Sequence, residues 1–147
     1  REKGLENLID SYRRIVAGSP VKIAAEVLPR NCLGNTSQEM LRILTGVDGL
    51  KTVVDLNHVM QEKEADCIVA LKEYLVGLHV SDRDAVNERH WLPGEGIVDF
   101  MSVLSALEEI GYDGCFTYEV HNMKVFQDPI NVRNNYEELF AKYAKRH

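Results

Sequence analysis

The fold of this chain is decided by residues 51–80, KTVVDLNHVMQEKEADCIVALKEYLVGLHV. Two short apolar runs, residues 51–56 and 75–80, have the length and the β-branched residues that are typical of buried strands. Between them, residues 64–74 repeat apolar side chains at helical spacing. A strand, a helix and a second strand in this order predict a βαβ unit with parallel strands.

The same alternation continues on both sides of this unit. The further predicted elements are helices over residues 2–17, 36–44, 99–110 and 131–143, and strands over residues 21–28 and 115–120. Thr36 and Glu39 form a predicted capping box, and Asp99 is the predicted N-cap of a helix that Gly111 ends. The chain is therefore predicted to be α/β, with (βα) repeats, parallel strands and four βα units preceded by one helix.

The size of the chain suits half of a larger fold. A complete (β/α)₈ barrel takes ~250 residues, whereas this chain has 147 and opens on a helix with no strand before it. We expect residues 1–147 to be a single domain, the carboxyl-terminal half of a TIM barrel, and a fragment of a longer protein. A small open sheet of four strands fits the same periodicity. A half barrel leaves two strand edges unpaired, which predicts pairing with a second copy, as a homo-oligomer, or with the absent half of the barrel.

Composition disfavours several classes of protein. The 17 basic and 23 acidic residues give a net charge of -6, so no positive surplus is present for a nucleic-acid partner. No apolar run approaches the ~18 to 20 residues that span a bilayer, so no membrane partner is predicted. Cys32, Cys67 and Cys115 contain no C-x-x-C pair and are interpreted as free thiols of a cytoplasmic protein.

One polar side chain stands near the end of each predicted strand: Glu26, Asp55, His79 and Glu119. The carboxyl ends of parallel strands gather at one face, which holds the active site. Each residue alone has an ordinary explanation, such as an edge position or a cap, but their recurrence on four strands favours a shared site. Three carboxylates buried together require a compensating cation. Three oxygen ligands with one imidazole suit Mn, Co, Mg or Zn, so the sequence predicts a divalent metal ion.

Further polar side chains follow these strand ends. The candidate substrate-binding residues are His58, Arg83, His90 and Trp91. His58 and His90 could contact a substrate or a second metal ion. Arg83 could bind an anionic group, and Trp91 could stack on the apolar face of a sugar ring. Asp82 has the same options as the histidines, although a surface-loop position is the simpler interpretation of both Asp82 and Arg83.

Four motifs resemble those of one enzyme superfamily: VVDLNH at 53–58, GLHVSDRD at 77–84, LPGEGIVDF at 92–100 and ALEEIGYDGCFTYEV at 106–120. They are similar to the xylose isomerase-like TIM-barrel superfamily. That superfamily includes sugar and sugar phosphate isomerases, ketose epimerases and metal-dependent apurinic (AP) endonucleases. The resemblance extends from about Val21 to Val120 and covers only the carboxyl-terminal half of the family's barrel.

The resemblance implies a metal held by Glu26, Asp55, His79 and Glu119, with Glu26 and Glu119 as the catalytic acid and base. It also implies that His58 contacts the substrate, or another metal as in the endonucleases. The implied activity is a divalent-metal-dependent isomerase or epimerase of a small carbohydrate (a sugar, sugar phosphate or polyol), with proton transfer through an enediolate. The alternatives are an AP endonuclease-type phosphodiesterase and an inactive half-barrel fragment.

Overall fold

The computed structural model describes residues 1–121 and 128–146. Its centre is a sheet of four parallel strands that lie side by side in chain order. The strands are β1 (Ala24–Glu26), β2 (Lys51–Asp55), β3 (Leu75–Val80) and β4 (Cys115–Tyr118). The helices are α1 (Glu2–Gly18), α2 (Ser37–Thr45), α3 (Glu64–Leu71), α4 (Phe100–Glu109) and α5 (Ile130–Ala144). The predicted α/β class with parallel strands and alternating helices is confirmed.

Several elements are shorter than their sequence patterns indicate, and β1 and α3 are shortened most. The strand predicted over residues 21–28 forms only as β1, because this strand pairs with β2 alone and has no described neighbour on its other side. The helix predicted over residues 64–74 ends at Leu71. There the Tyr74 N–H donates to the Leu71 carbonyl oxygen at 2.9 Å, and this turn leads directly into β3.

The register of the strands sorts their side chains onto two faces. Glu26 pairs with Val53, and Asp55 pairs with His79. Paired residues in neighbouring parallel strands point to the same side, as do residues two apart within one strand. Glu26, Asp55 and His79 therefore share one face of the sheet, which we call the inner face. The pairing of β3 with β4 continues this alternation and brings Glu119 to the same face.

The ladder between β2 and β3 contains one irregularity. Thr52 pairs with Leu75, whereas the next residue, Val53, pairs with Gly77. Val76 is thus an extra residue in β3, as in a β-bulge. Because of this shift, each residue of β3 after Val76 points to the opposite face from the one that it would have in a regular ladder.

The opposite face of the sheet packs beneath the helices. Val54 and Leu78, which pair across β2 and β3, have no exposed surface there. The buried helix side chains of this layer include Met40, Ile43, Leu44, Cys67, Ile68, Leu71, Val103, Leu104 and Leu107. Full burial of one such leucine or isoleucine contributes ~1.5–3 kcal/mol, so this layer supplies most of the driving force for folding. On the inner face, by contrast, Ala24, Cys115 and Thr117 are exposed.

Two predicted caps start helices. Thr36 Oγ1 accepts the Glu39 N–H at 3.2 Å, and the Asp99 carboxylate accepts two backbone N–H groups in the first turn of α4. The reciprocal half of the capping box is not formed, because the Glu39 carboxylate accepts the Gly34 N–H at 2.6 Å and pairs with Arg1. Among the helices described over residues 1–121 and 128–146, none is long and apolar enough to cross a membrane.

The loops after the carboxyl ends of the strands meet at one end of the sheet. We call these segments the rim loops, and they comprise residues 27–36, 56–63, 81–99 and 119–121. The longest of them folds back on itself through an antiparallel bridge between Asp82 and Trp91. Ligands of parallel α/β sheets bind at this end.

Candidate metal centre

Four side chains meet at the rim end of the inner face: Glu26, Asp55, His79 and Glu119. Each offers one ligand atom, and all four atoms lie within 4.8 Å of one another. His79 Nδ1 is 2.9 Å from Glu26 Oε1 and 2.8 Å from Glu119 Oε2. The structure therefore brings together all four residues that the sequence proposes as ligands. We call them the four-residue cluster.

Asp55 is the buried member of this cluster. Its side chain has no exposed surface, whereas the side chains of Glu26, His79 and Glu119 are 34%, 32% and 36% exposed. Asp55 Oδ1 accepts the Asn57 N–H at 2.8 Å, but Oδ2 is buried and has no hydrogen-bond partner among the described residues. Burial raises the pKa of the Asp55 carboxyl. This residue is thus a carboxylate with one oxygen left available.

A divalent cation fits this donor set. His79 Nδ1 can carry only one hydrogen, yet two carboxylate oxygens approach it closely, so hydrogen bonding alone does not satisfy both contacts well. Oxygen and nitrogen ligands held at ~2.0–2.2 Å from one ion lie at most ~4.4 Å apart, close to the spacing of the four ligand atoms. Asp55 Oδ2, which accepts no hydrogen bond from the described residues, adds a ligand atom that a cation would use. The residues present therefore fit an ion such as Mg, Mn, Co or Zn.

Three histidines line the rim beside the cluster. His58 Nδ1 lies 3.4 Å from Asp55 Oδ2. The rings of His58 and His90 meet edge-on at 5.9 Å, and the rings of His90 and His121 stack at 4.3 Å. His90 Nδ1 also lies 3.1 Å from the Glu119 carbonyl oxygen. Two of the predicted substrate-binding residues thus adjoin the cluster, together with a third histidine to which the sequence pattern assigns no role.

The other two predicted substrate-binding residues have different contacts. The Arg83 guanidinium is buried, and its Nη2 donates to Glu64 Oε1 and to the Val59 carbonyl oxygen, both at 2.7 Å. Arg83 thus already pairs with a carboxylate of the protein, and its binding of an anionic substrate group stays a prediction. The Trp91 ring lies 5.6 Å from the Arg89 guanidinium. Its stacking on a sugar ring stays a prediction.

Asp82 has a role that sequence reasoning missed. Its side chain is fully buried, so neither a solvated loop position nor substrate contact describes it. The carboxylate accepts four backbone N–H groups at 2.8 to 3.0 Å, from Arg83, Gly94, Gly96 and Val98. Two glycines two residues apart are a sequence signal for a tight loop. They do not reveal which side chain the loop closes upon.

Comparison with known proteins agrees with this geometry. The sequence model of the xylose isomerase-like TIM barrel family matches residues 1–145. The chain belongs to this family. The resemblance drawn from the sequence motifs is thereby confirmed, and the described sheet corresponds to four parallel strands of such a barrel.

Individual relatives are longer than this chain. The uncharacterized protein MJ1311 of Methanocaldococcus jannaschii is 31% identical over 112 residues, which cover 71% of this chain and 38% of the relative. The crystal structure of a D-tagatose 3-epimerase-like protein is 25% identical with a TM-score of 0.82, covering 97% of this chain and 56% of that one. A D-allulose 3-epimerase from Methylomonas sp. is 24% identical with a TM-score of 0.71, covering 84% and 44%. The chain spans about half the length, or less, of these relatives.

Proposed function

We propose that this chain carries the metal-binding and acid–base residues of a divalent-metal-dependent sugar isomerase or epimerase. The meeting of Glu26, Asp55, His79 and Glu119 at the rim is the observation that supports this most directly. Membership of the xylose isomerase-like family and the likeness to a D-tagatose 3-epimerase-like protein support the same class of reaction.

The four-residue cluster contains one buried carboxylate, Asp55, and two partly exposed carboxylates, Glu26 and Glu119. Asp55 is buried, which suits a ligand that holds a cation in place. Glu26 and Glu119 come from the two outermost strands, whose backbones are separated by three strand spacings or ~14 Å along the sheet. Their carboxylates nevertheless both reach His79 and stay about one third exposed. This arrangement supports a role in which the two carboxylates face a substrate from two sides.

Two such carboxylates suit proton transfer next to a carbonyl group. One glutamate takes a proton from the carbon beside the carbonyl, and the other returns a proton to the opposite side of that carbon, which inverts it. Return of the proton to the former carbonyl carbon, together with transfer of a proton from the neighbouring hydroxyl oxygen to the former carbonyl oxygen, would instead isomerise the sugar. When bound, a divalent cation would supply positive charge beside the oxygen on which negative charge develops. His58 and His90 stand beside the cluster as hydrogen-bonding groups for substrate hydroxyls.

The arginines of the described rim loops favour a free sugar or polyol over a sugar phosphate. Arginine is well suited to bind phosphate through paired hydrogen bonds, but each arginine of the described rim loops already holds a carboxylate. The pairs are Arg30 with Glu88, Arg83 with Glu64, and Arg89 with Asp84. In this part of the structure, the rim thus offers a substrate polar groups rather than unpaired guanidinium groups.

Calorimetric titration with Mg²⁺, Mn²⁺, Co²⁺ and Zn²⁺ tests the metal site without any substrate. We expect Asp55→Asn to weaken binding of the preferred ion strongly, because it removes the buried charged ligand. Asp113→Asn makes the same chemical change at an exposed position before β4 and is expected to bind like the wild type. Equal metal binding by Asp55→Asn and the wild type would contradict the assignment.

Deuterium uptake tests the acid–base pair. The protein would be incubated with free ketohexoses in D₂O, and exchange at the carbon next to the carbonyl would be followed by NMR. Glu119→Gln and Glu26→Gln are each expected to lose ~10²- to 10⁴-fold in rate with the fold retained. Glu73→Gln, exposed at the other end of the sheet, is the matched control. The acid–base assignment fails if Glu119→Gln still equilibrates every substrate that the wild type does.

A second candidate function rests on the neighbouring histidines. Asp55, His58 and His90 form another group whose ligand atoms lie within 4.8 Å of one another, as a multi-metal phosphodiesterase requires. The net charge of -6 opposes binding of a duplex. Nicking of an abasic duplex at physiological salt would support this function, and a metal content of one ion per chain would weigh against it.

A further inference from the structure

We infer that Asp82 is a positioning residue whose buried carboxylate shapes rim loop 81–99 and thereby places His90 beside the four-residue cluster. What His90 does to a substrate rests on the proposed function. How His90 is placed rests on the contacts of this loop alone.

The Asp82 carboxylate is saturated by the loop. A carboxylate has about four lone-pair sites, and four backbone N–H groups occupy them, at 2.8 to 3.0 Å, with no exposed side-chain surface left. An asparagine at this position keeps only one acceptor oxygen and turns an NH₂ group toward N–H donors. The loop therefore depends on the charged side chain and not merely on its size.

Glycines let the loop close on that carboxylate. A methyl group on Gly96 would lie 2.1 Å from the Arg83 carbonyl oxygen and 2.5 Å from Asp82 Oδ1. Gly94 has a φ of +94°, a conformation that other residues rarely adopt. The sequence Pro-Gly-Glu-Gly thus provides two N–H donors, with glycine required at position 94 by its positive φ and at position 96 by its close approach to Asp82 and Arg83.

The same residue holds the backbone next to His90. His90 has a φ of +49°, which costs a non-glycine residue ~1–3 kcal/mol and persists only where its surroundings fix it. On one side, Asp82 and Trp91 exchange two backbone hydrogen bonds at 2.8 and 3.0 Å. On the other side, the Arg89 N–H donates to Asn57 Oδ1 at 3.1 Å. Asp82 therefore organises the loop through its side chain and anchors His90 through its main chain.

Loosening Asp82 should affect His90 and spare the metal ligands. Glu26, Asp55 and His79 lie on strands, so their positions do not depend on the loop, whereas Glu119 directly follows β4 and its carbonyl oxygen lies 3.1 Å from His90 Nδ1. The His90 ring, in contrast, is carried by the loop backbone, which brings it to its contacts with the Glu119 carbonyl oxygen and the His121 ring. We expect a change at Asp82 to separate metal binding from the placement of this imidazole.

Histidine NMR of the metal-free protein tests the placement directly. In the wild type, the rings of His90 and His121 stack at 4.3 Å and should give a ring-to-ring Overhauser effect. In Asp82→Asn, this effect should disappear while the His79 resonances stay in place. Asp113→Asn is the control, and Gly94→Ala, which strains the same loop at an open position, replaces Asp82→Asn if that variant does not fold. Retention of the Overhauser effect in the folded loop variant overturns the inference.

A double-mutant cycle tests whether Asp82 acts through His90. Asp82→Asn and His90→Ala are each expected to lower kcat/KM by ~10- to 100-fold, and the double variant should lose no more than His90→Ala alone. Affinity for the preferred divalent ion should remain that of the wild type. Additive losses, or weakened metal binding in Asp82→Asn, overturn the inference. If the wild type turns over no sugar, the proposed function fails, and the NMR measurement still decides the role of Asp82.

Discussion

The buried ion pair between Arg83 and Glu64 ties a rim loop to the start of α3, and its removal should produce a measurable loss of stability. The two side chains are 9% and 11% exposed, and Nη2 lies 2.7 Å from Oε1. Replacing Glu64 with leucine leaves a buried guanidinium charge without its carboxylate, a change that typically costs ~3–5 kcal/mol. Arg83 Nε already has no hydrogen-bond partner within the described part of the chain. The pair is thus incompletely satisfied, and we expect a loss near the lower end, about 3 kcal/mol.

Urea unfolding followed by circular dichroism measures this loss. Glu64→Leu and Arg83→Met should each lower the free energy of unfolding, whereas the double variant should lose less than Glu64→Leu because no uncompensated charge remains buried. For a chain of this size, about 3 kcal/mol corresponds to a decrease in Tm of roughly 6–12 °C. Glu73→Leu, at an exposed position, is the control and should change stability by no more than ~0.5 kcal/mol.

One result would refute this reasoning. Suppose that Arg83→Met unfolds at the wild-type urea concentration but binds a phosphorylated sugar less tightly than the wild type does. Arg83 would then serve a substrate anion rather than Glu64. Arg83 would have the role that the sequence predicts, and two paired rim arginines rather than three would favour an unphosphorylated substrate.

Acid stability, loop packing and assembly give further tests. A hydrogen bond from the Ser102 hydroxyl is the main cause that lowers the pKa of Asp99 from 3.8, so its stabilisation is present above that value and disappears as pH falls through the folded pKa. Acid unfolding curves of the wild type and Asp99→Asn should therefore converge at low pH, and a constant difference would contradict this. Gly96→Ala, with a methyl group 2.1 Å from the Arg83 carbonyl oxygen, should lose ~1–3 kcal/mol in thermal or urea melts, whereas Gly18→Ala, with open space around the added carbon, should not. Light scattering should show self-association through the unpaired edges of the described sheet, and a stable monomer would count against it.

The strand-end residues could be predicted from sequence because the relevant information is local. Each short apolar run marks a buried strand, and the polar residue late in the run lies at its carboxyl end. Parallel pairing then gathers Glu26, Asp55, His79 and Glu119 without any knowledge of the loops. The alternation of elements likewise indicates the α/β class. Whether these four residues bind a metal stays a prediction that the titration above tests.

The loop residues could not be assigned in the same way. Arg83 pairs with a glutamate 19 residues earlier, and Asp82 binds an N–H group 14 residues later. No periodic pattern connects such positions, because the folded backbone alone brings them together. His121 was likewise missed, since its stacking on His90 depends on a left-handed residue that the sequence does not signal.

The extra residue in β3 sets a rule for changes in chain length. If Val76 were paired in regular register instead, the pairing of Thr52 with Leu75 would continue without a shift, and Asp55 would pair with Leu78. The His79 side chain would then point into the hydrophobic core between the sheet and the helices. One residue inserted directly after Gly77 would have the same effect. Leu78 would then point to the inner face, and His79 would point toward the helices. Loss of the Val76 codon would merely straighten the strand. A one-residue change in length should therefore be tolerated at Val76, where the ladder is already irregular, and should disrupt the four-residue cluster just after Gly77.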